Sequence, residues 1–257
     1  MKPKIVPALL AFLLALSAGC ATTGSIPLDQ KFWQEKGKRM GVALGEFPHA
    51  DVYVYSPPTP PMTSHNNFRP FNDAFMAYPE YTEQPLRIAE TTPLRNTANE
   101  LTGKEFEKVQ DIFSHDLAER GFIVFKVENR IKMDSLPRFK GDSHDAVYAS
   151  KDFRDFGKST NADYLIIVWL RHYGAICRYR DVYNYETDIY ADVQAEMIDT
   201  ATNKILWRTG GSQGNFTKEL KASCAQSDGI PIILNELGAL LTTAAEKTAA
   251  VFFVQAP

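Results

Sequence analysis

Two short runs set a hydroxyl, an imidazole and a carboxylate side by side: Ser114-His115-Asp116 and Ser143-His144-Asp145. Nucleophilic catalysis needs those groups to converge from separate elements, with the carboxylate holding the base and the base aimed at the hydroxyl. Neighbouring residues on a helix diverge instead. The first run falls inside a predicted helix, and the second at a helix start where Asp142 or Ser143 serves as a cap. No G-x-S-x-G elbow, H-E-x-x-H helix or phosphate-binding loop occurs. The glycine-rich stretch Gly210-Gly211-Ser212-Gln213-Gly214 leaves a predicted hairpin strand and runs into Asn215-Phe216-Thr217. It therefore reads as a bend or bulge and not as a dinucleotide loop, which needs a parallel strand before it and a helix after it. His49, His65, His115, His144 and His172 show no ligand spacing with carboxylates on a common helix face. No catalytic residue, metal ligand or cofactor is expected, and the chain reads as a non-enzyme.

Three cysteines are present, Cys20, Cys177 and Cys224, without the spacing of a zinc site. Around Cys177 lie Arg171, His172, Arg178 and Arg180, a cluster that could meet an anionic partner or could be solvated charge answered by Asp181, Glu186 and Asp188. The whole chain of 257 residues carries 28 basic and 31 acidic side chains, a formal charge of −3. That balance argues against a nucleic-acid binder, which needs a basic field to neutralise phosphates.

The amino terminus reads MKPKIVPALLAFLLALSAGC. Lys2 and Lys4 precede an uncharged apolar run from Ile5 to Leu16, too short and wrongly flanked for a stop-transfer helix, so residues 1–19 read as a secretory signal. Leu16-Ser17-Ala18-Gly19-Cys20 resembles the lipobox of bacterial lipoproteins. The resemblance implies cleavage before Cys20 and acylation of its sulfur and new amino group. Ala21, where an acid would signal retention, implies the outer membrane. An ordinary signal cut that leaves Cys20 a free thiol is the alternative. Loss of residues 1–19 removes two lysines and no acid, taking the formal charge from −3 to −5. Residues 20–27 then form the lipidated cysteine and a short tether, and residues 28–257 a single domain facing the periplasm or the cell surface. In that oxidising compartment Cys177 and Cys224 can form a disulfide closing a loop of roughly 50 residues. Two separately buried thiols are the other outcome.

Elements follow from periodicity. Residues 39–47 predict a strand with Met40, Val42 and Leu44 on one face, which residues 51–55 extend or pair with. Residues 57–98 hold eight of the fifteen prolines and read as a long surface insertion in which neither sheet nor a long helix is expected. Phe68, Phe71, Phe75, Tyr78 and Tyr81 crowd its middle, an aromatic content unlike that of a disordered linker. They read either as a partner-docking segment or as rings folded over the protein's own core. Thr102-Gly103-Lys104-Glu105 matches a capping box, and Phe106, Val109, Phe113 and Leu117 continue as the buried face of a helix that stops at Gly121. A strand at 122–127, a loop at 129–144 and a polar helix at 145–160 follow. Residues 164–170 are continuously apolar, as suits a central strand covered on both faces. Residues 183–197 alternate strictly, with Thr187, Ile189, Ala191, Val193, Ala195 and Met197 inward. Residues 204–208 close a hairpin, and a terminal helix begins near Pro231. The order predicts an α/β sandwich with a mixed, largely antiparallel sheet flanked by helices.

Ala162-Asp163-Tyr164-Leu165-Ile166-Ile167-Val168, then Met197-Ile198-Asp199-Thr200 and Asn203-Lys204-Ile205-Leu206-Trp207, resembles a recurring module of bacterial envelope lipoproteins, the CsgG/PelC/LpoB-like domain. The likeness covers roughly residues 100–253. It implies a non-enzymatic assembly or accessory factor held to the membrane by its lipid, with an envelope protein or further copies of itself as partner. A ring-forming component of a secretion or polysaccharide-export apparatus is one alternative, and a periplasmic hydrolase with dispersed site residues another. The proline-laden insertion cannot supply the amphipathic hairpins of a membrane channel.

Overall fold

The computed structural model describes residues 24–55, 88–140, 148–179, 185–210, 213–224 and 228–254. Seven strands form one sheet: β1 (Arg39–Leu44), β2 (Asp51–Tyr55), β3 (Ile123–Lys126), β4 (Tyr164–Tyr179), β5 (Tyr185–Asp199), β6 (Lys204–Arg208) and β7 (Asn215–Leu220). The helices are α1 (Ile88–Glu119), α2 (Arg154–Thr160) and α3 (Gly229–Phe253). The lower half of the sheet runs β3-β1-β4-β5-β6, while β2 and β7 flank the upper ends of β4 and β5. Pairings of β1 with β3, β1 with β4 and β2 with β4 are parallel, and those of β5 with β4, β6 and β7 are antiparallel. This is the expected mixed α/β sandwich. β2 does not pair with β1. The two lie end to end along β4, opposite Met40–Leu44 partners at Tyr164–Val168 and Asp51–Tyr55 partners at Gly174–Arg178.

The two faces of β4 enter different cores. Tyr164, Ile166, Val168 and Leu170 join Met40, Val42 and Leu44 under α1 and α3, whereas Leu165 and Ile167 meet Ile131, Ala149 and Phe153 beneath α2. Both sides being apolar, the run carries no period-2 signal, as a strand buried on both faces requires. β4 nevertheless continues nine residues past Leu170, where the sequence suggested an end. A bulge between Leu170 and His172 shifts the phase, so Leu170 and Tyr173 both point to the helices while Arg171 and His172 both reach solvent. β5 keeps its alternation, and the inward residues Thr187 to Met197 are all buried.

α1 corrects two expectations. It starts at Ile88, inside the predicted insertion, and includes Pro93 near its amino end, where one backbone bond is lost but the helix is otherwise kept. Thr102 is therefore no N-cap. It is fully buried, and its hydroxyl donates to the Ala98 carbonyl at 2.7 Å, the i−4 pattern of a threonine inside a helix. Glu105 does not reach back to an amide; it accepts from Lys108 and, at 2.9 Å, from Thr242 on α3, and these bonds hold its carboxyl below the usual range. Leu94, Ala98 and Thr102 extend the stripe of Phe106, Val109, Phe113 and Leu117, and packing of that stripe on α3 and the sheet overrides the local start signal. The polar helix predicted over 145–160 is only the seven residues of α2, because Tyr148 and Lys151 are drawn into bridges with Lys204 and Arg138. β7 was missed; Gly214 opens it against β5. At the other end, Ile26 already bridges Arg208, ahead of the boundary expected at residue 28.

Candidate functional site

The motif that carried the resemblance is built into a knot at the lower end of the sheet. Asp163 bonds Arg39 twice, its amide donating to the Arg39 carbonyl at 2.8 Å and its carboxylate accepting from the Arg39 amide at 2.8 Å. Thr200 donates its hydroxyl to the Ala162 and Asp163 carbonyls, and its side chain fills the space beside Gly157, where a Cβ would meet Thr200 Cβ at 2.3 Å. Asn203, in the left-handed region at φ 65°, accepts from the Phe153 amide at 2.9 Å and donates to the carbonyls of Ala149 and Lys151. Trp207 is fully buried, edge-on to Phe252 with centroids 4.9 Å apart. An open hollow of about 480 Å³ beside the knot is lined by Lys38, Arg154, Lys158 and Asn161 together with Asp163 and Thr200. Its wall residue Tyr164 donates its phenol to Glu35, and burial, aided by that carboxylate, pushes the phenol far above its usual range. These polar groups bind the chain to itself, so the motif fixes the fold.

The upper half of the sheet carries α1 and α3 on one face, and on the other a set of charge pairs. Arg171 lies 4.0 Å from Asp192, His172 Nδ1 3.7 Å from Asp51, and Arg178 against Asp188. The basic cluster around Cys177 is thus answered by acids of β2 and β5; Arg180 and Asp181 lie outside the described residues. Burial holds the Asp192 carboxyl above the usual range. Lower on the same strand, Glu196 accepts from Arg208 Nε at 2.6 Å, with both side chains under a fifth exposed. Burial outweighs the guanidinium, and the Glu196 carboxyl sits above its ordinary value. A carboxyl raised in the folded state binds protons there that the unfolded chain has released. Its contribution to stability therefore falls as pH rises from about 4.3, the unfolded value, to the folded one. Urea unfolding between pH 4 and 8 should show this decline in the natural protein and lose that component in Glu196→Gln.

Cys177 on β4 and Cys224 after β7 are joined as a disulfide, Cα–Cα 6.1 Å. Thr187, opposite Cys177, donates to the Ala222 carbonyl at 2.6 Å and so fastens the same segment. A loop spanning 47 residues predicts a contribution of about 4 kcal/mol. Cys177→Ser with Cys224→Ser should lower the melting temperature by roughly 8–16 °C in a chain of this size, and thermal melts with and without reductant measure it.

Ser114, His115 and Asp116 do not form a triad. The Ser114 hydroxyl is buried without a partner, while His115 is exposed and lies 3.3 Å from Glu119. The sequence reading overlooked this i, i+4 pair: His115, Asp116 and Glu119 bring their ligand atoms within 4.8 Å of one another. The signal was the His-x3-Glu spacing, and the group is an exposed helix-surface ion pair. His49 Nδ1 meets the Asn99 amide at 3.4 Å. Cys20, Phe68, Phe71, Phe75, Tyr78, Tyr81, His65 and the Ser143-His144-Asp145 run lie outside the described residues.

Fold and side chains together define a mixed seven-stranded α/β sandwich whose distinctive residues hold structure. No family model and no curated protein sequence matches the chain. Among solved structures it is similar to the PelC dodecamer from Paraburkholderia phytofirmans, at 11% identity and TM-score 0.24 over 87% of this chain and 92% of that one. It is also similar to lipoprotein GNA1162 from Neisseria meningitidis, at 12% identity and TM-score 0.25 over 83% and 99%. A hypothetical protein of Chlamydia trachomatis aligns at 8% identity and TM-score 0.27 over 85% and 98%. At those similarities the function rests on this chain's own residues.

Proposed function

We propose that the protein is an outer-membrane lipoprotein, anchored through Cys20, that acts as a non-enzymatic assembly or accessory factor of an envelope complex. The observation that carries this reading is the leader-like run of residues 1–19 before Cys20, followed within six residues by Ile26, which is already paired to β6. The described residues that distinguish the chain serve the fold, which supports action by binding. The aromatic group Phe68, Phe71, Phe75, Tyr78 and Tyr81 is the surface assigned to a partner.

The test is the native mass of the lipidated protein extracted in mild detergent from its own membrane. A defined complex with another envelope protein, or a homo-oligomer, is the expected result. A bare monomer whose function is lost on a single acid or histidine substitution, with folding intact, would overturn it in favour of a hydrolase.

A further inference from the structure

The outer edge of β6 carries two things at once. At one end Ile26 and Arg208 exchange backbone bonds at 3.1 and 3.0 Å, which pins the chain that leads back to Cys20. At the other, Tyr148 bridges Lys204 on the same edge, four residues or about 13 Å away. Arg138 bridges Lys151 beside it, and Asn203 clamps the Ala149 and Lys151 carbonyls. Phe139 and Tyr148 stack at 5.6 Å, with the Arg154 guanidinium 5.2 Å from the Phe139 ring. Arg138, Lys140 and Lys204 are exposed, and Lys151 is half-buried. Asp152 is held by Arg154 at 2.6 Å and Asp155 by Lys158 at 3.3 Å, which leaves the other four cations without an ion pair among the described residues. Among the described residues, a chain of net charge −3 therefore places four cations without an ion pair beside two stacked rings.

Tether length turns this patch into a contact. Six peptide units between Cys20 and Ile26 reach at most about 20 Å, less than half the roughly 45 Å breadth of a globular chain of this size. The domain cannot turn over on such a tether, so the surface around Ile26 is the surface that meets the bilayer. Lysine and arginine beside aromatic rings suit an anionic headgroup layer, where the field is felt only within about a Debye length.

We propose that the β6 edge, with Arg138, Lys140, Lys151 and Lys204 around Tyr148 and Phe139, lies against the anionic phospholipid headgroups of the membrane that holds Cys20. The proposal rests on the reading of Cys20 as the lipid anchor. It adds an orientation: the opposite edge of the sheet, at β3, is presented to the aqueous compartment.

The test uses the lipidated protein reconstituted into phosphatidylethanolamine–phosphatidylglycerol vesicles and into pure phosphatidylcholine vesicles, with lysine acetylation read by mass spectrometry. Lys140 and Lys204 should be acetylated at least tenfold more slowly than Lys104 and Lys126 on the phosphatidylglycerol vesicles. That protection of Lys140 and Lys204 should vanish in Arg138→Glu/Lys151→Glu, which stays vesicle-bound through its lipid, and should weaken in high salt. Equal reactivity in a protein that still floats with the vesicles overturns the docking and leaves the anchor standing. Equal protection on phosphatidylcholine overturns the requirement for anionic lipid. Protection that grows with protein concentration in detergent alone assigns the edge to a second copy and overturns the proposal. A protein with no acyl mass on Cys20 overturns the anchoring reading itself.

Discussion

On the proposal that Cys20 carries the lipid anchor, Cys20→Ser should remove the protein from the outer membrane altogether. The serine offers no thiol for the diacyl group, and without that step the leader is not cut before residue 20. The variant is therefore expected as an uncleaved precursor that keeps residues 1–19 and carries no acyl mass. Among the described residues no helix is long and apolar enough to cross a membrane. Each buried methylene contributes about 0.8 kcal/mol, and anchoring by two or more chains is stable where one is marginal. Loss of every chain should lower outer-membrane residence on the order of a thousandfold or more. Density-gradient fractionation with intact-mass measurement reads both effects. A variant found at the outer membrane with the mass of a processed chain would show that Cys20 is not the anchor.

Gly174→Ala should cost more stability than any other single-methyl addition in the central strand. A Cβ at residue 174 would stand 1.8 Å from the Asp51 carbonyl oxygen and 2.9 Å from the Asp51 amide nitrogen. Those are backbone atoms of β2, paired to β4 at that position, and they cannot swing aside as a side-chain tip would. Either β2 leaves the sheet or β4 is pushed against β5, where Gly174 opposes Tyr190. We expect a loss of at least about 3 kcal/mol, at the upper end of overpacking penalties. Urea unfolding should show it, with hydrogen exchange rising first at Val52 and its neighbours on β2. Gly24→Ala, which has nothing within 4 Å of the added methyl, is the control and should be nearly neutral.

The sequence was most legible where one physical demand acted alone. On β5 one face is buried and one is not, so alternation could be read from Thr187 to Met197 without error. The stripe Phe106, Val109, Phe113 and Leu117 was equally plain, since only helical spacing puts those apolar side chains on one side. Legibility failed where a long-range contact overruled a local signal. Thr102 carries the chemistry of a cap, but it is buried with its hydroxyl on the Ala98 carbonyl, and the helix passes through. Beyond Leu170 the bulge exchanged the faces, so Tyr173, Ala175 and Cys177 do not continue the pattern of the apolar run before them. β7 is short and polar on its outer side, with only Leu220 and part of Phe216 facing inward, so it offered almost no pattern. The pairing of Cys177 with Cys224 depends on where β7 ends, a property of the sheet and not of the spacing. Asp163, Thr200 and Asn203 were noticed as a recurring motif, and only their hydrogen bonds reveal that they tie strand ends together.

The bridge between Ile26 and Arg208 also decides how the molecule bears mechanical load. On the proposed anchoring through Cys20, any drag on the domain reaches those two backbone bonds before the rest of the sheet. The edge geometry lets them peel one after the other, so they act as a weak first link. Behind them stand Leu28, Phe32 and Trp33, buried against Phe122 and Phe252, which must be sheared out together before the rest of the fold feels the pull. On that anchoring, the attachment would yield by a few residues of slack under small forces before the buried segment took the load, a shock absorber ahead of the sheet.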